Sequence, residues 1–145
     1  MELARMDANL RQAIAAQVTR EPLPRLLGIR LVELRTGFAV VEMIYEPAKM
    51  DNLFRRAHGG ALFALIDEAF ETAGQTHGTV AVALNVNVTY VSSPDPGACL
   101  RAEAREVSRT KKTASYSIQV KDAEGRLMAT CQALAYRTGK PLPFI

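Results

Sequence analysis

Asp67, Gly59 and Gly60 are the residues of this 145-residue chain whose types and spacing could do chemistry. They belong to the run Ala57-His58-Gly59-Gly60-Ala61-Leu62-Phe63-Ala64-Leu65-Ile66-Asp67-Glu68-Ala69-Phe70, which reads as a sharp loop-to-helix junction followed by several helical turns. Two glycines at the mouth of a helix leave room beside the first-turn amides. Those amides lack an intrahelical carbonyl and can receive a carbonyl oxygen or a developing oxyanion. Attack on such a carbonyl needs a base or nucleophile, and a carboxylate is the type on offer. Asp67 is the best placed and Glu71, one turn on, is the runner-up. The plain alternative is that Gly-Gly is an ordinary helix entry and Asp67 a flank residue facing water.

Geometry limits the chemical reading. Leu62, Leu65, Ile66, Ala69, Phe70 and Ala73 recur at helical spacing and form the stripe that wants burial. Asp67 lies off that stripe and shares its side with Gly60, Phe63, Ala64 and Glu71. At 1.5 Å of rise per residue, Asp67 is on the order of 11 Å along the axis from the Gly60 amide. One helix cannot bring both to one reacting group, whereas two antiparallel copies in a two-fold dimer can.

Other candidates stand near this helix. Asn52, six residues before His58, is either a backbone-turning asparagine or an amide donor to a bound carbonyl or water. Ala83 and Asn85, on one side of a long strand, are either pocket wall or packing. Arg109, Lys111 and Lys112 crowd a hairpin tip, which is either a solvated turn or a holder of phosphates. Leu23, Leu26 and Leu27 form a short hydrophobic plug, and His77 reads as an exposed residue at a helix end.

Composition excludes much else. Hydrophobic residues make up 48% of the chain, which rules out global disorder. Net charge is +3, from 18 basic and 15 acidic side chains; this helps an anionic ligand approach and falls short of a nucleic-acid binder. Cys99 and Cys131 are isolated, and the two histidines are far apart in sequence, so neither a disulfide scaffold nor a zinc site is expected. No Gly-x-Ser-x-Gly elbow, phosphate-loop lysine motif or dinucleotide glycine pattern occurs. With no secretory leader or long apolar run, the expectation is a cytoplasmic protein with no membrane partner.

The elements that must position these residues follow in order. Leu3 to Thr19 reads as a helix that need not join the core, stopped by Pro22 and Pro24. Ile29 to Leu34 and Phe38 to Tyr45 read as a hairpin around Arg35-Thr36-Gly37, and Ala48 to Ala57 as a charged connection. After the central helix, Thr79 to Ser92 reads as a central strand beneath it, with Val80, Val82, Leu84, Val86, Val88 and Tyr90 on one face. Ala81, Ala83, Asn85 and Asn87 take the other. Cys99 to Val107, Thr113 to Val120 and Leu127 to Tyr136 complete the sheet, and Arg137 to Ile145 reads as a tail. The domain reading is residues 1–25 as an N-terminal helix and proline linker, 26–137 as one α+β domain, and 138–145 as a C-terminal tail.

At this point the chain resembles the hotdog-fold acyl-coenzyme A thioesterases of the phenylacetic-acid-degradation type. The resemblance rests on Leu27-Gly28-Ile29, Asn52, His58-Gly59-Gly60, Leu65-Ile66-Asp67, Asn87-Val88-Thr89-Tyr90 and the basic turn Arg109 to Lys112. It implies an antiparallel sheet wrapped around a long helix, subunits paired into a continuous sheet, and dimers joined into tetramers. It implies hydrolysis of an acyl-coenzyme A thioester with no separate cofactor, coenzyme A being part of the substrate. By carry-over, Gly59 offers its amide, Asn52 positions substrate or water, and Asp67 of the partner chain is general base or nucleophile. His58, Gly60, Phe63, Ala83, Asn85, Arg109, Lys111 and Lys112 form the expected substrate-contact set, with His58 shaping the loop. Some relatives carry a serine near Ala83, and this chain departs from them there. A hotdog dehydratase or isomerase, and a non-catalytic acyl-coenzyme A or aromatic-ligand binder, are the other readings.

Overall fold

The structure is a computed structural model that describes residues 5–145. Its elements are α1 (Ala8–Val18), α2 (Pro22–Leu27), β1 (Arg30–Arg35), β2 (Phe38–Ile44), α3 (Pro47–Met50), α4 (Gly59–Gly74), β3 (Thr79–Tyr90), β4 (Cys99–Arg109), β5 (Thr113–Lys121) and β6 (Leu127–Pro141). The six strands form one antiparallel sheet in the order β1-β2-β4-β5-β6-β3, and α4 packs against all of them. Leu62, Leu65, Ile66, Ala69, Phe70 and Ala73 are buried against the sheet, as the helical periodicity predicts. Truncating the fully buried Leu65 to alanine would cost about 2–5 kcal/mol, a large share of a typical domain's stability.

Local chemistry sets both ends of α4. The His58 ring caps the start, its Nδ1 accepting from the Gly60 amide at 2.9 Å. At the other end, the Thr76 hydroxyl donates to the Ala73 carbonyl and accepts from the Gly37 amide, each at 2.7 Å. The Gln75 side-chain amide then pairs with both backbone groups of Ala81 at 3.0 Å, which fixes the start of β3 against the helix end.

Several sequence expectations need correction. Helix α1 starts at Ala8 behind an Asp7 cap rather than at Leu3, which lies outside the described residues. It does join the core, through buried Ile14 and Val18, and Met6 just ahead of the cap is buried with them. The leucine plug is the short helix α2, whose Leu23 and Leu26 are exposed while Pro24 is buried, because a six-residue helix turns only one narrow face inward. The supposed tail begins as strand, since β6 continues to Pro141 opposite Thr79, and Leu142 is buried.

The long strand β3 is not central. It pairs with β6 alone and forms an edge of the sheet, because the last strand of the chain fills the place between β5 and β3. A bulge between Ala83 and Asn85 also breaks the alternation read from sequence. Before it, Ala83 stands opposite buried Ala135; beyond it, Val86 and Val88 stand opposite buried Ala133 and Cys131. Asn85 and Asn87 are thereby opposite exposed Leu134 and Gln132, on the face away from α4.

Candidate active site

The entrance to α4 forms one half of the site. The connection before it is a tight loop closed by an Asp51–Ala57 bridge, by the Asn52 amide donating to the Arg56 carbonyl at 2.7 Å, and by the His58 amide donating to Met50 at 2.7 Å. Within it the Asn52 side-chain oxygen accepts from the Phe54 and Arg56 amides at 2.8 and 3.1 Å. Asn52 therefore turns the backbone, and its side-chain NH₂ is left over to donate. Asn52, Ala57, Gly59, Leu62 and Tyr90 line one cavity, together with the Val91–Pro94 segment. His58 and Gly60 bond each other, so the Gly60 amide is taken. Among the described residues the Gly59 amide has no such partner.

The middle of α4 forms the other half. Asp67, Phe70, Glu71, Gly74 and Gln75 line a second cavity with Ala81, Val82, Ala83 and Ala135. Its volume is about 220 Å³. That is below the roughly 300 Å³ at which ligand pockets begin. Burial raises the Asp67 pKa, which makes its carboxylate a stronger base than an aspartate in water. Asp67 and Ala83 thus meet at one cavity while Gly59 and Asn52 meet at another. Eight helical steps apart, Gly59 and Asp67 are separated by about 12 Å along the helix axis.

The remaining candidates scatter. Asn85, turned by the bulge, lines a groove with Asn87, Ser115, Ser117 and Gln132 instead of the Asp67 cavity. Phe63 is partly exposed and belongs to neither cavity. Lys111 and Lys112 are exposed on the β4–β5 turn. Arg109 is engaged: its guanidinium donates to His77 and lies 3.7 Å from Glu106. His77 is itself only 10% exposed at its side chain and sits 2.6 Å from Glu106, so the expectation of an exposed helix-end histidine fails. A carboxylate on β4 and an arginine at the strand's end draw the imidazole inward.

Sequence reading overlooked a carboxyl cluster. Glu21, Glu68 and Glu71 each bring a carboxylate oxygen within 4.8 Å of the others. Burial and then proton sharing with Glu21 push Glu71 up to about 8, and burial and then Glu68 push Glu21 up to about 7. Buried Glu68 is raised as well, first by desolvation, and accepts from the Thr72 hydroxyl at 3.3 Å. Glu68 and Glu71 are three apart on one helix, a visible spacing, whereas Glu21 reaches them only through the fold. Tyr90, read as one apolar residue of a strand, was also missed; its hydroxyl donates to the Gly59 carbonyl at 2.9 Å.

Comparison with known proteins follows this geometry. The family profile described as Thioesterase superfamily matches residues 54–129. A protein of Archaeoglobus fulgidus provisionally assigned as an esterase is 37% identical over 118 residues, 81% of this chain and 76% of that protein. Acyl-coenzyme A thioesterase PaaI of Escherichia coli is 32% identical over 115 residues, 79% of this chain and 81% of PaaI. The solved structure of the E. coli PaaI protein from the phenylacetic acid degradation operon superposes with a TM-score of 0.88 at 29% identity, covering 94% of this chain and 98% of PaaI. The sheet wrapped around α4 is accordingly a hotdog fold.

Proposed function

Because this chain belongs to the thioesterase superfamily, we propose that it hydrolyses an acyl-coenzyme A thioester to the free carboxylic acid and coenzyme A, at a site completed by a second copy of the chain. The observation that carries this reading is the division of the chemistry between two cavities along α4, one holding Gly59 and Asn52 and the other Asp67 and Ala83. The free edge of β3 supports the second copy. Twelve residues long and bearing exposed Val82, Leu84 and Tyr90, it is the kind of edge that natural sheets cover. Two-fold pairing of β3 with itself would continue the sheet and run the two α4 helices antiparallel. The Gly59 end of one then approaches the Asp67 cavity of the other. Pairing of such dimers into tetramers belongs to the same proposal.

In this arrangement the thioester carbonyl oxygen receives the Gly59 N–H, and the Asn52 NH₂ steadies substrate or water. Asp67 of the other chain takes a proton from water as the water attacks the carbonyl carbon, or attacks that carbon itself. Either way the tetrahedral oxyanion forms against the Gly59 amide and the C–S bond breaks; coenzyme A departs as thiolate, which takes the proton held by Asp67 on the water route and one from solvent on the direct route. A direct attack leaves an anhydride with Asp67 that water then hydrolyses. Lys111 and Lys112 attract the phosphates. Residues 26–141, to the end of β6, carry this machinery, with 1–25 and 142–145 as its N- and C-terminal additions.

The test is a panel of phenylacetyl-, hydroxybenzoyl- and medium-chain fatty acyl-coenzyme A substrates, with free thiol followed over time for purified protein. Turnover of one class well above background supports the enzyme. Tight binding of every thioester with no thiol release would make the chain a ligand-binding hotdog protein instead.

A further inference from the structure

We infer that Tyr90 is a positioning residue for the oxyanion donor, its hydroxyl and the His58 ring clamping the Gly59–Gly60 peptide from opposite ends so that the Gly59 N–H keeps its aim. The inference rests on the thioesterase reading for its kinetic consequence, but the clamp stands on contacts within one chain. The Tyr90 hydroxyl donates to the Gly59 carbonyl at 2.9 Å. The N–H of that same peptide, carried by Gly60, donates to His58 Nδ1 at 2.9 Å. Both polar ends of one peptide plane are therefore tied to side chains, on top of the ladder bond that a helix beginning at Gly59 asks of its carbonyl.

Such a clamp answers a specific weakness. Glycine at the donor position has no Cβ and is free to rotate, and that freedom costs precision at a site where a donor must already point at the developing charge. An ideal Cβ on Gly59 would stand 3.1 Å from the Tyr90 ring and hydroxyl. The ring thus crowds the space a Cβ would take here, which favours glycine, and its hydroxyl restores the restraint that glycine gives up. Tyr90 is itself held: the next two amides, of Val91 and Ser92, both donate to the Met128 carbonyl, at 2.8 and 3.2 Å, and the Ser92 hydroxyl donates to the Leu127 carbonyl at 2.6 Å. The end of β3 consequently anchors the mouth of α4 to β6.

The experiment is Tyr90→Phe in the intact oligomer, a change that keeps the ring and removes the hydroxyl. The expected result is a fall in kcat of roughly fivefold or more with KM within twofold, short of the ~100-fold for deleting an oxyanion donor outright. Backbone hydrogen exchange of the Gly60 amide, the N–H that the clamp holds on His58, should quicken in the same variant, while exchange across the α4 core stays unchanged. A kcat within twofold of the parent, or a loss appearing wholly in KM, overturns the positioning role. If the parent turns over no thioester at all, the thioesterase reading fails on its own, and Gly60 exchange still decides the clamp: faster exchange supports it and unchanged exchange removes it.

Discussion

Asp67 and Glu71 face one cavity from successive turns of α4, and the protein raises the pKa of both. Their environments nonetheless separate them. Asp67 is raised by burial alone, whereas Glu71 is pushed to about 8 by burial, by its hydrogen bond and repulsion with Glu21, and lastly by Asp67. Near neutral pH Glu71 keeps its proton, which makes it a poor candidate for the base.

Asp67→Asn should therefore lose roughly 100-fold or more in turnover while the variant still folds, assembles and binds substrate. Protonated Glu71 is a poor substitute base. Thiol-release kinetics and a ligand titration on the purified variant check this, and near-normal turnover would remove Asp67 from the chemistry.

Sharing of the site between chains can be tested by complementation. Gly59→Pro deletes the amide donor at a first-turn position whose backbone suits proline, and the Tyr90 ring must give by a few tenths of an ångström to admit it. Mixed by co-refolding with Asp67→Asn chains, it should yield heterodimers with one intact and one doubly damaged site. Random equal mixing should restore about a quarter of parental activity, since half the dimers are mixed and half their sites intact. Silent heterodimers, proven by mass spectrometry, would place the site within one chain.

The carboxyl cluster predicts a pH dependence of stability. The folded state holds protons on Glu71 and Glu21 up to about pH 8 and 7, whereas an unfolded glutamate releases its proton near 4.5. Between those limits the native state binds more protons than the unfolded one, so stability should fall as pH rises from about 4.5 to about 8. Glu71→Gln keeps a hydrogen-bonding side chain and removes one titration. It should raise the melting temperature at pH 8.5 and leave it nearly unchanged at pH 4.5; an equal shift at both would show that the Glu71 proton is not involved.

The basic turn should behave in two parts. The Lys111→Ala/Lys112→Ala pair should raise KM for a full acyl-coenzyme A, more at low salt, and leave kcat close to the parent value. A short N-acetylcysteamine thioester, without phosphates, should not register the change. Arg109→Ala should instead weaken the fold, because it releases His77 and Glu106. Parallel kinetics on both thioesters and a thermal melt separate these effects; equal KM losses on both substrates would deny the phosphate role.

The local patterns in the chain were enough for its elements and its chemical vocabulary. The 3.6-residue stripe from Leu62 to Ala73 became the buried face of α4, and the Arg35-Thr36-Gly37 turn joined the first two strands, because both signals arise within a few residues. Gly59, Asn52 and Asp67 were nameable for the same reason: helix-entry amides and a carboxylate declare their chemistry by type and spacing. Strand order was not local. That β6 comes between β5 and β3, leaving β3 as a bare edge, depends on which surfaces close in three dimensions. The bulge after Ala83, which costs one residue of register, sends Asn85 to the outer face although a strict period of two had put it inside. Glu21 meets Glu68 and Glu71, Arg109 meets His77 and Tyr90 meets Gly59 only after folding. Hydrophobic periodicity says which face of an element is buried but not which distant side chain will be buried against it, and those long-range neighbours decide where protons sit and where the Gly59 amide points.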